Sequence, residues 1–203
     1  MKKTFLNLLY ISIVPSIVVY FLTIGFSYFY KINPILVVRD LAQTCGYPIG
    51  VGMISNIGIL LWASSGAITL FVSISKLAER EIAKLLLMGG IFSAILCVDD
   101  FFLLHDRYVG PDFLNITYLS MTILMLIKFW KVLLKIGLLP IIISLLFLSL
   151  SVFFDSILQQ LLSKNYELIQ LYEEFFKFLG IACWLNFWCN ASVYSIDLKK
   201  IYD

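Results

Sequence analysis

The sequence predicts an all-α integral membrane protein, and three observations support this. Apolar residues make up 61% of the chain and charged residues only 14%, whereas a soluble domain is normally about half apolar. The mean hydropathy is correspondingly high, at +0.96. The apolar residues are also gathered into runs of about 20 residues or more, the length that a helix needs to cross roughly 30 Å of hydrocarbon.

Six apolar runs are long enough to span a membrane. They lie near residues 5–30, 49–75, 85–105, 113–130, 136–158 and 168–194. The first run follows two lysines as a signal peptide would, but it continues without a small-residue cleavage site, and we predict an uncleaved helix. Residues 1–203 are therefore predicted to form a single domain of six transmembrane helices.

The distribution of basic residues predicts the orientation. One side of the predicted membrane carries Lys2, Lys3, Lys76, Arg80, Lys84, Lys128, Lys131, Lys135, Lys199 and Lys200, and the other carries Lys31, Arg39, Arg107 and Lys164. Because basic loops stay in the cytoplasm, both termini are predicted to be cytoplasmic. The expected location is a cell membrane, the inner membrane of a bacterium, with membrane lipid as a partner.

The connection after the first run contains signals for a short helix. Asn33 can cap a helix, Pro34 suits a first helical turn, and Gly46 can end one. A short interfacial helix and a plain connector both fit these residues. In the second run, the small residues 64–67 favour close helix packing, with a nucleophilic serine as the alternative.

Other features of the composition narrow the possible partners. The net charge of +2 is too small for a nucleic-acid-binding surface, so no nucleic-acid partner is expected. The four cysteines show neither a CxxC pair nor the spacing of metal ligands. We therefore predict no disulfide bond.

Ionisable side chains occur in the outer halves of three predicted helices. They are Asp99, Asp100, His105, Asp106, Asp155, Glu173 and Glu174. A charge in hydrocarbon costs several kcal/mol by the lower estimates, so such groups usually face a partner, water or a substrate. We predict that these residues share one buried polar site that opens toward the outer leaflet.

Helical spacing predicts two charge pairs within this set. Asp100 is seven residues from Arg107, and Glu173 is four residues from Lys177, so the members of each pair share a helix face. Arg107 and Lys177 are therefore predicted to have a structural pairing role, lowering the cost of burying the acids.

The lone histidine does not share the face of its neighbouring acids. On a straight helix His105 lies about 120–140° from Asp99 or Asp100. Either the third helix loosens near its outer end, or the histidine reaches toward a different helix.

Two kinds of chemistry fit these groups. The residues Asp99, Asp100, His105, Asp155 and Glu173 could hold one divalent metal ion, such as Zn, Fe, Mn or Mg. Alternatively, His105 acts as a general base oriented by Asp106, while burial keeps Glu173 or Glu174 protonated as the acid. Either arrangement suits a hydrolase that cleaves a lipid or another hydrophobic, membrane-buried substrate.

Two non-enzymatic interpretations remain open. Buried acids that pair with basic residues can lock transmembrane helices together. Intramembrane charges also mark the pathways of ion and solute transporters. The sequence does not decide between a structural network, a catalytic or metal site and a transport path.

Two sequence blocks support a resemblance to known groups of proteins. The block DDFFLLHD at residues 99–106 and the block YEEFFKFLGIACWL at residues 172–185 resemble a group of uncharacterised small bacterial polytopic membrane proteins. The Glu-Glu-x-x-Lys pattern at residues 173–177 is also similar to that of glutamic intramembrane proteases of the PrsW and CAAX-processing type. This second resemblance implies that Glu173 or Glu174 activates water, although in those proteases the histidine motifs follow the glutamates.

Overall fold

The computed structural model describes residues 13–38, 44–48, 50–75, 77–155 and 166–202. Within these ranges the chain is helical and contains no strand. The chain divides into two compact units, Met1–Val51 and Gly52–Asp203. The all-α prediction is therefore confirmed for the described residues.

The N-terminal unit contains two described helices, α1 (Val14–Phe29) and α2 (Pro34–Val38). The Asn33 side chain accepts a hydrogen bond from the backbone N–H of Ile35 at 3.0 Å, and Pro34 opens α2. The predicted short helix after Asn33 is thus confirmed as far as residue 38. Residues 39–43 of that predicted segment lie outside the described residues.

The C-terminal unit contains the remaining helices. They are α3 (Met53–Ile74), α4 (Arg80–Phe102), α5 (Leu104–Arg107), α6 (Pro111–Ile136), α7 (Leu139–Phe153) and α8 (Tyr166–Tyr202). Each of the six predicted apolar runs corresponds to a helix of the chain, while residues 5–12, 49 and 156–158 of those runs lie outside the described residues. Among the described helices, α3 and α4 are each long and apolar enough to cross a membrane, and α7 is a shorter apolar helix.

Small residues allow α3 and α4 to pack closely. A Cβ atom on Gly66 would lie 3.4 Å from the carbonyl oxygen of Gly90, and one on Gly90 would lie 2.6 Å from Oγ1 of Thr69. A Cβ atom on Gly90 would therefore clash with side chains of α3, whereas one on Gly66 would be in van der Waals contact with α4. The small-residue patch of the second apolar run therefore serves helix packing, as one of its two interpretations predicted.

The middle of α8 forms the centre of the core. Trp184, Phe187 and Trp188 are each at most 1% exposed, and helix α8 packs against α3, α4 and α7. The α7 contact is fixed by Ser144, whose hydroxyl donates to the carbonyl oxygen of Gly180 at 2.8 Å. This packing holds α8 beside α3 and α4, with the acidic residues of α8 near the C-terminal end of α4.

Helix α4 begins and ends with distinct caps. At its start, the Glu79 carboxylate accepts hydrogen bonds from the backbone N–H groups of Glu81 and Ile82 at 3.0 and 3.2 Å, which satisfies donors that a helix start leaves unpaired. At its end, Leu103 adopts a left-handed conformation with φ 53° and ψ 48°. Helix α4, the third predicted span, therefore breaks at its C-terminal end, which is one of the two arrangements predicted for His105.

Candidate functional site

Asp99 is the centre of the first part of the site. It lies in the last turn of α4 and is 5% exposed. Its Oδ1 atom accepts a hydrogen bond from the backbone N–H of His105 at 2.9 Å and lies 3.0 Å from Nδ1 of the His105 ring. The chain can return to Asp99 because the left-handed Leu103 ends α4 and starts the short helix α5.

This contact determines the tautomer of His105. A carboxylate can only accept hydrogen bonds, so Nδ1 carries the hydrogen that points at Asp99. Nε2 is then the ring nitrogen through which His105 would take up or release a proton. The side chain of His105 is 26% exposed and that of Asp99 is 7% exposed, so the histidine is the more accessible partner.

A third helix reaches the same carboxylate. Tyr118 of α6 lies close enough to Asp99 to interact electrostatically with its carboxylate. Asp99 therefore joins the end of α4 to α5 and lies beside α6. Because it accepts from a backbone N–H and an imidazole, its burial is compensated.

Asp100 forms the second part of the site and faces other helices. Its Oδ1 atom accepts a hydrogen bond from Nζ of Lys177 on α8 at 2.7 Å, and its Oδ2 atom accepts one from Nε1 of Trp62 on α3 at 2.9 Å. The Asp100 side chain is 11% exposed and that of Lys177 is 25% exposed. One carboxylate thus connects three helices, α3, α4 and α8.

Two glutamates of α8 lie close to this pair. Glu173 and Glu174 both interact electrostatically with the Lys177 ammonium group. Glu174, Asp100 and Lys177 also line a small cleft together with Ser55 of α3. The inner volume of the cleft is about 10 Å³, which is room for about one water molecule.

The other predicted site residues lie around this region. Asp155 lies two residues beyond the end of α7 and is partly buried, Arg107 of α5 is exposed, and the side chain of Asp106 lies outside the described residues. Asp100 pairs with Lys177, while the break at Leu103 separates α4 from the helix of Arg107. The predicted pairing of Asp100 with Arg107 assumed one straight helix, which the structure does not have.

Two of the predicted metal ligands have separate partners. Asp99 and Asp100 are about 100° apart on α4 because they are consecutive residues of a helix, and they contact His105 and Lys177 respectively. Among the described residues, no group of three or more His, Cys, Asp or Glu side chains is arranged to hold a metal ion. This donor set fits two separate hydrogen-bonded contacts better than a single metal centre.

Aromatic side chains fill the interior beside Asp100. The ring centroids of Trp62 and Trp184 are 5.8 Å apart in an edge-to-face arrangement, and those of Phe92 and Trp184 are 5.7 Å apart. The Trp184 Nε1–H group donates to the hydroxyl oxygen of Ser93 at 2.8 Å. Trp62 therefore connects the ionic contact at Asp100 to the packed aromatic core.

One comparison with known proteins identifies the family of this chain. The family model described as a domain of unknown function, DUF8692, matches residues 11–190. The chain belongs to this family. A search of curated proteins and a search of solved structures each found no match. The matched range of this DUF8692 chain includes Trp62, Asp99, Asp100 and Lys177.

Two partners of the acids in this DUF8692 protein were not predicted from the sequence. They are Trp62, which lies 38 residues from Asp100, and Tyr118, which lies in another helix. The signal that could have found them is chemical, since buried indole N–H and phenol O–H groups normally have a hydrogen-bond partner. Because these residues lie far along the chain from the acids, the sequence does not show which acid each one contacts.

Replacing Trp62 by phenylalanine is expected to lower the free energy of unfolding by about 2 kcal/mol, because a hydrogen bond to a charged group is worth about 1.5–3 kcal/mol. The aromatic packing is mostly kept, so the loss reports on the N–H group. The measurement is unfolding in mixed detergent micelles followed by circular dichroism. Trp130→Phe is the matched control, since Trp130 is 50% exposed and its change should have little effect. Equal stabilities for both variants would contradict a role for the Trp62 hydrogen bond.

Proposed function

We propose that this DUF8692 protein is a multi-pass protein of the cell membrane, the inner membrane of a bacterium, with six spans and cytoplasmic termini. Support comes from the two long apolar helices α3 and α4, from the helices at the other predicted runs, and from the excess of basic residues on one side. In this arrangement Asp99 and Asp100 lie near the outer face.

Labelling of cysteines in intact cells tests this orientation. The native Cys45, which is exposed, should react with a membrane-impermeant maleimide added from outside. A cysteine introduced by Lys131→Cys, with the native cysteines replaced, should react only after the cells are opened. The reverse pattern would overturn the proposed orientation.

We further propose that the ionisable cluster is an interhelical network that fixes the outer ends of the helices. The observation that carries this proposal is the pairing of Asp100 with donors from two other helices, Trp62 at 2.9 Å and Lys177 at 2.7 Å. A charged group in hydrocarbon requires such partners, and a carboxylate that finds them on different helices holds those helices in register. The adjoining cleft has room for about one water molecule, which is too little for an acyl or peptide chain.

Hydrogen exchange tests the network at Asp99. Replacing Asp99 by asparagine removes the charge that holds the His105 backbone N–H and ring, so the amides of residues 103–108 should exchange faster. The matched control is Asp112→Asn in the exposed first turn of α6, which should leave these amides unchanged. Unchanged exchange in Asp99→Asn would contradict the network.

A hydrolase that acts on a lipid or another membrane-buried substrate is a second candidate. It is favoured by the contact between Asp99 and Nδ1 of His105, because a carboxylate orients an imidazole in this way for general base catalysis. In this mechanism Nε2 of His105 takes a proton from water, the oxygen of that water attacks an ester or amide carbonyl, and protonated Glu173 or Glu174 gives a proton to the leaving group.

Assays with fluorogenic phospholipid and ceramide substrates separate the two candidates. If the protein is a hydrolase, the purified protein hydrolyses the substrate. His105→Ala then abolishes this hydrolysis without changing the affinity for the substrate. The network proposal expects no turnover by the unmodified protein and a loss of stability in the variant. A transport path, the third interpretation, has less support because packed aromatic rings adjoin Asp100.

A further inference from the structure

A groove at the opposite end of the C-terminal unit lies outside this network. It has a volume of about 1020 Å³ and is bounded by the start of α4, the last turns of α6 and the C-terminal part of α8. Along α4, Arg80 at the groove and Asp100 at the network are 20 residues apart, which corresponds to about 30 Å of helix. This length equals the thickness of a bilayer's hydrocarbon core, so the groove and the network lie at opposite faces.

The groove has an apolar floor and a basic rim. Ile82 of α4 is 3% exposed, and it lines the groove together with Val132 of α6 and Leu198 of α8. Arg80 and Lys135 line the same groove and are exposed. This combination of an apolar surface beside positive charges matches the acyl chain and the negatively charged headgroup of an anionic lipid.

The acidic side chains of the groove are engaged in other contacts. The Glu79 carboxylate caps α4 by accepting from the backbone N–H groups of Glu81 and Ile82. The Glu81 carboxylate binds Nζ of Lys84 at 2.7 Å. Within the described parts of the chain, neither Arg80 nor Lys135 forms an ion pair.

The walls of the groove are held together by a direct contact. The backbone N–H of Glu79 donates to the hydroxyl oxygen of Ser195 on α8 at 3.2 Å. This bond fixes α8 to the start of α4, so the groove does not depend on a mobile loop. Lys199, one turn beyond Ser195 on α8, adds a third basic residue to the lining.

We propose that this groove binds an anionic phospholipid, with its phosphate between Arg80 and Lys135 and an acyl chain along the apolar floor. In the orientation proposed above, the groove lies at the cytoplasmic interface, where basic pockets between transmembrane helices bind anionic headgroups. The proposal is independent of whether the network at Asp99 and Asp100 is structural or catalytic.

Native mass spectrometry of the full-length protein in detergent micelles tests this proposal with phosphatidylglycerol, phosphatidylcholine and soluble glycerol phosphate as probes. We expect phosphatidylglycerol to bind at least tenfold more tightly than phosphatidylcholine. The double variant Arg80→Gln, Lys135→Gln should lose affinity for phosphatidylglycerol roughly 30-fold, since each basic residue near a charged lipid contributes about fivefold. Lys131→Gln, which removes a charge from α6 outside the lining, is the matched control and should bind as the unmodified protein does.

Four results would overturn the proposal. Equal binding of the two lipids would show that the phosphatidylglycerol charge is not recognised, and equal loss in Lys131→Gln would show a general charge effect. Tighter binding of glycerol phosphate than of phosphatidylglycerol would assign the site to a soluble phosphate compound. The same spectra report the copy number, and a dimer that dissociates in the double variant would assign the groove to an interface between copies. Unfolding of each variant without lipid shows whether its fold is kept.

Discussion

Replacing Lys177 by methionine is expected to lower the free energy of unfolding by about 3–5 kcal/mol, the usual cost of removing one partner from a buried ion pair. The reason is that Lys177 is 2.7 Å from Asp100 and also interacts with Glu173 and Glu174. Without its ammonium group, three acids face one another at the end of the bundle. The measurement is unfolding in mixed detergent micelles, followed by circular dichroism.

The opposite change in the pair should cost less. In Asp100→Asn, Lys177 still faces Glu173 and Glu174, and the asparagine oxygen can still accept from the Trp62 N–H group. We expect a loss of about 1.5–3 kcal/mol, the range for a broken hydrogen bond to a charged group. A larger loss of stability in Lys177→Met than in Asp100→Asn would indicate that the Lys177 ammonium group interacts with several acids at once.

The double variant Asp100→Asn, Lys177→Met gives the coupling between the two residues. We expect its loss to be smaller than the sum of the single losses by about 1–3 kcal/mol, because contacting residues are coupled by roughly this amount. The exposed pair of Glu81 and Lys84, with N and O atoms also 2.7 Å apart, is the control, and Lys84→Met should leave the stability unchanged. Additive losses at Asp100 and Lys177 would contradict a direct interaction within the network.

The sequence predicts where helices lie better than where they end. Apolar runs indicate the segments that can be buried or face lipid, and each corresponds to a helix. The third run is predicted to begin at residue 85, but α4 begins at Arg80 because the Glu79 side chain caps its first turn. Charged residues such as Lys131 end an apolar run without ending a helix, which is why α6 continues to Ile136.

The location of the site could be predicted from the sequence, but its contacts could not. The sequence shows that acids and a histidine lie near one end of the bundle, and the angle between His105 and Asp99 shows that a straight helix cannot join them. The left-handed Leu103 that brings them together depends on tertiary contacts. The partners of Asp100 depend on how α3 and α8 pack against α4, and no local pattern encodes that choice.

Replacing Gly89 by alanine is expected to lower the free energy of unfolding by about 3 kcal/mol, at the upper end of the usual cost of overpacking a core. A Cβ atom at Gly89 would lie 2.0 Å from the Cη2 atom and 2.2 Å from the Cζ2 atom of Trp188. The indole cannot move away easily, because Trp188 is fully buried and its ring centroid is 5.5 Å from Trp184 and 4.9 Å from Phe187. The variant must therefore separate α4 from α8 or displace the aromatic core.

A second glycine in a helix provides the control. A Cβ atom at Gly25 in α1 would meet nothing within 4 Å, so Gly25→Ala should raise the stability by about 0.5–1 kcal/mol through helix propensity. A partial rescue of Gly89→Ala by Trp188→Phe would then identify the clash itself. The rescue loses no hydrogen bond, since the Trp188 Nε1–H group has no partner among the described residues. If Gly89→Ala is as stable as the unmodified protein, α4 and α8 do not pack closely enough for Trp188 to contact Gly89. The contact between Asp100 and Lys177, which lie on the same two helices, would then also be contradicted.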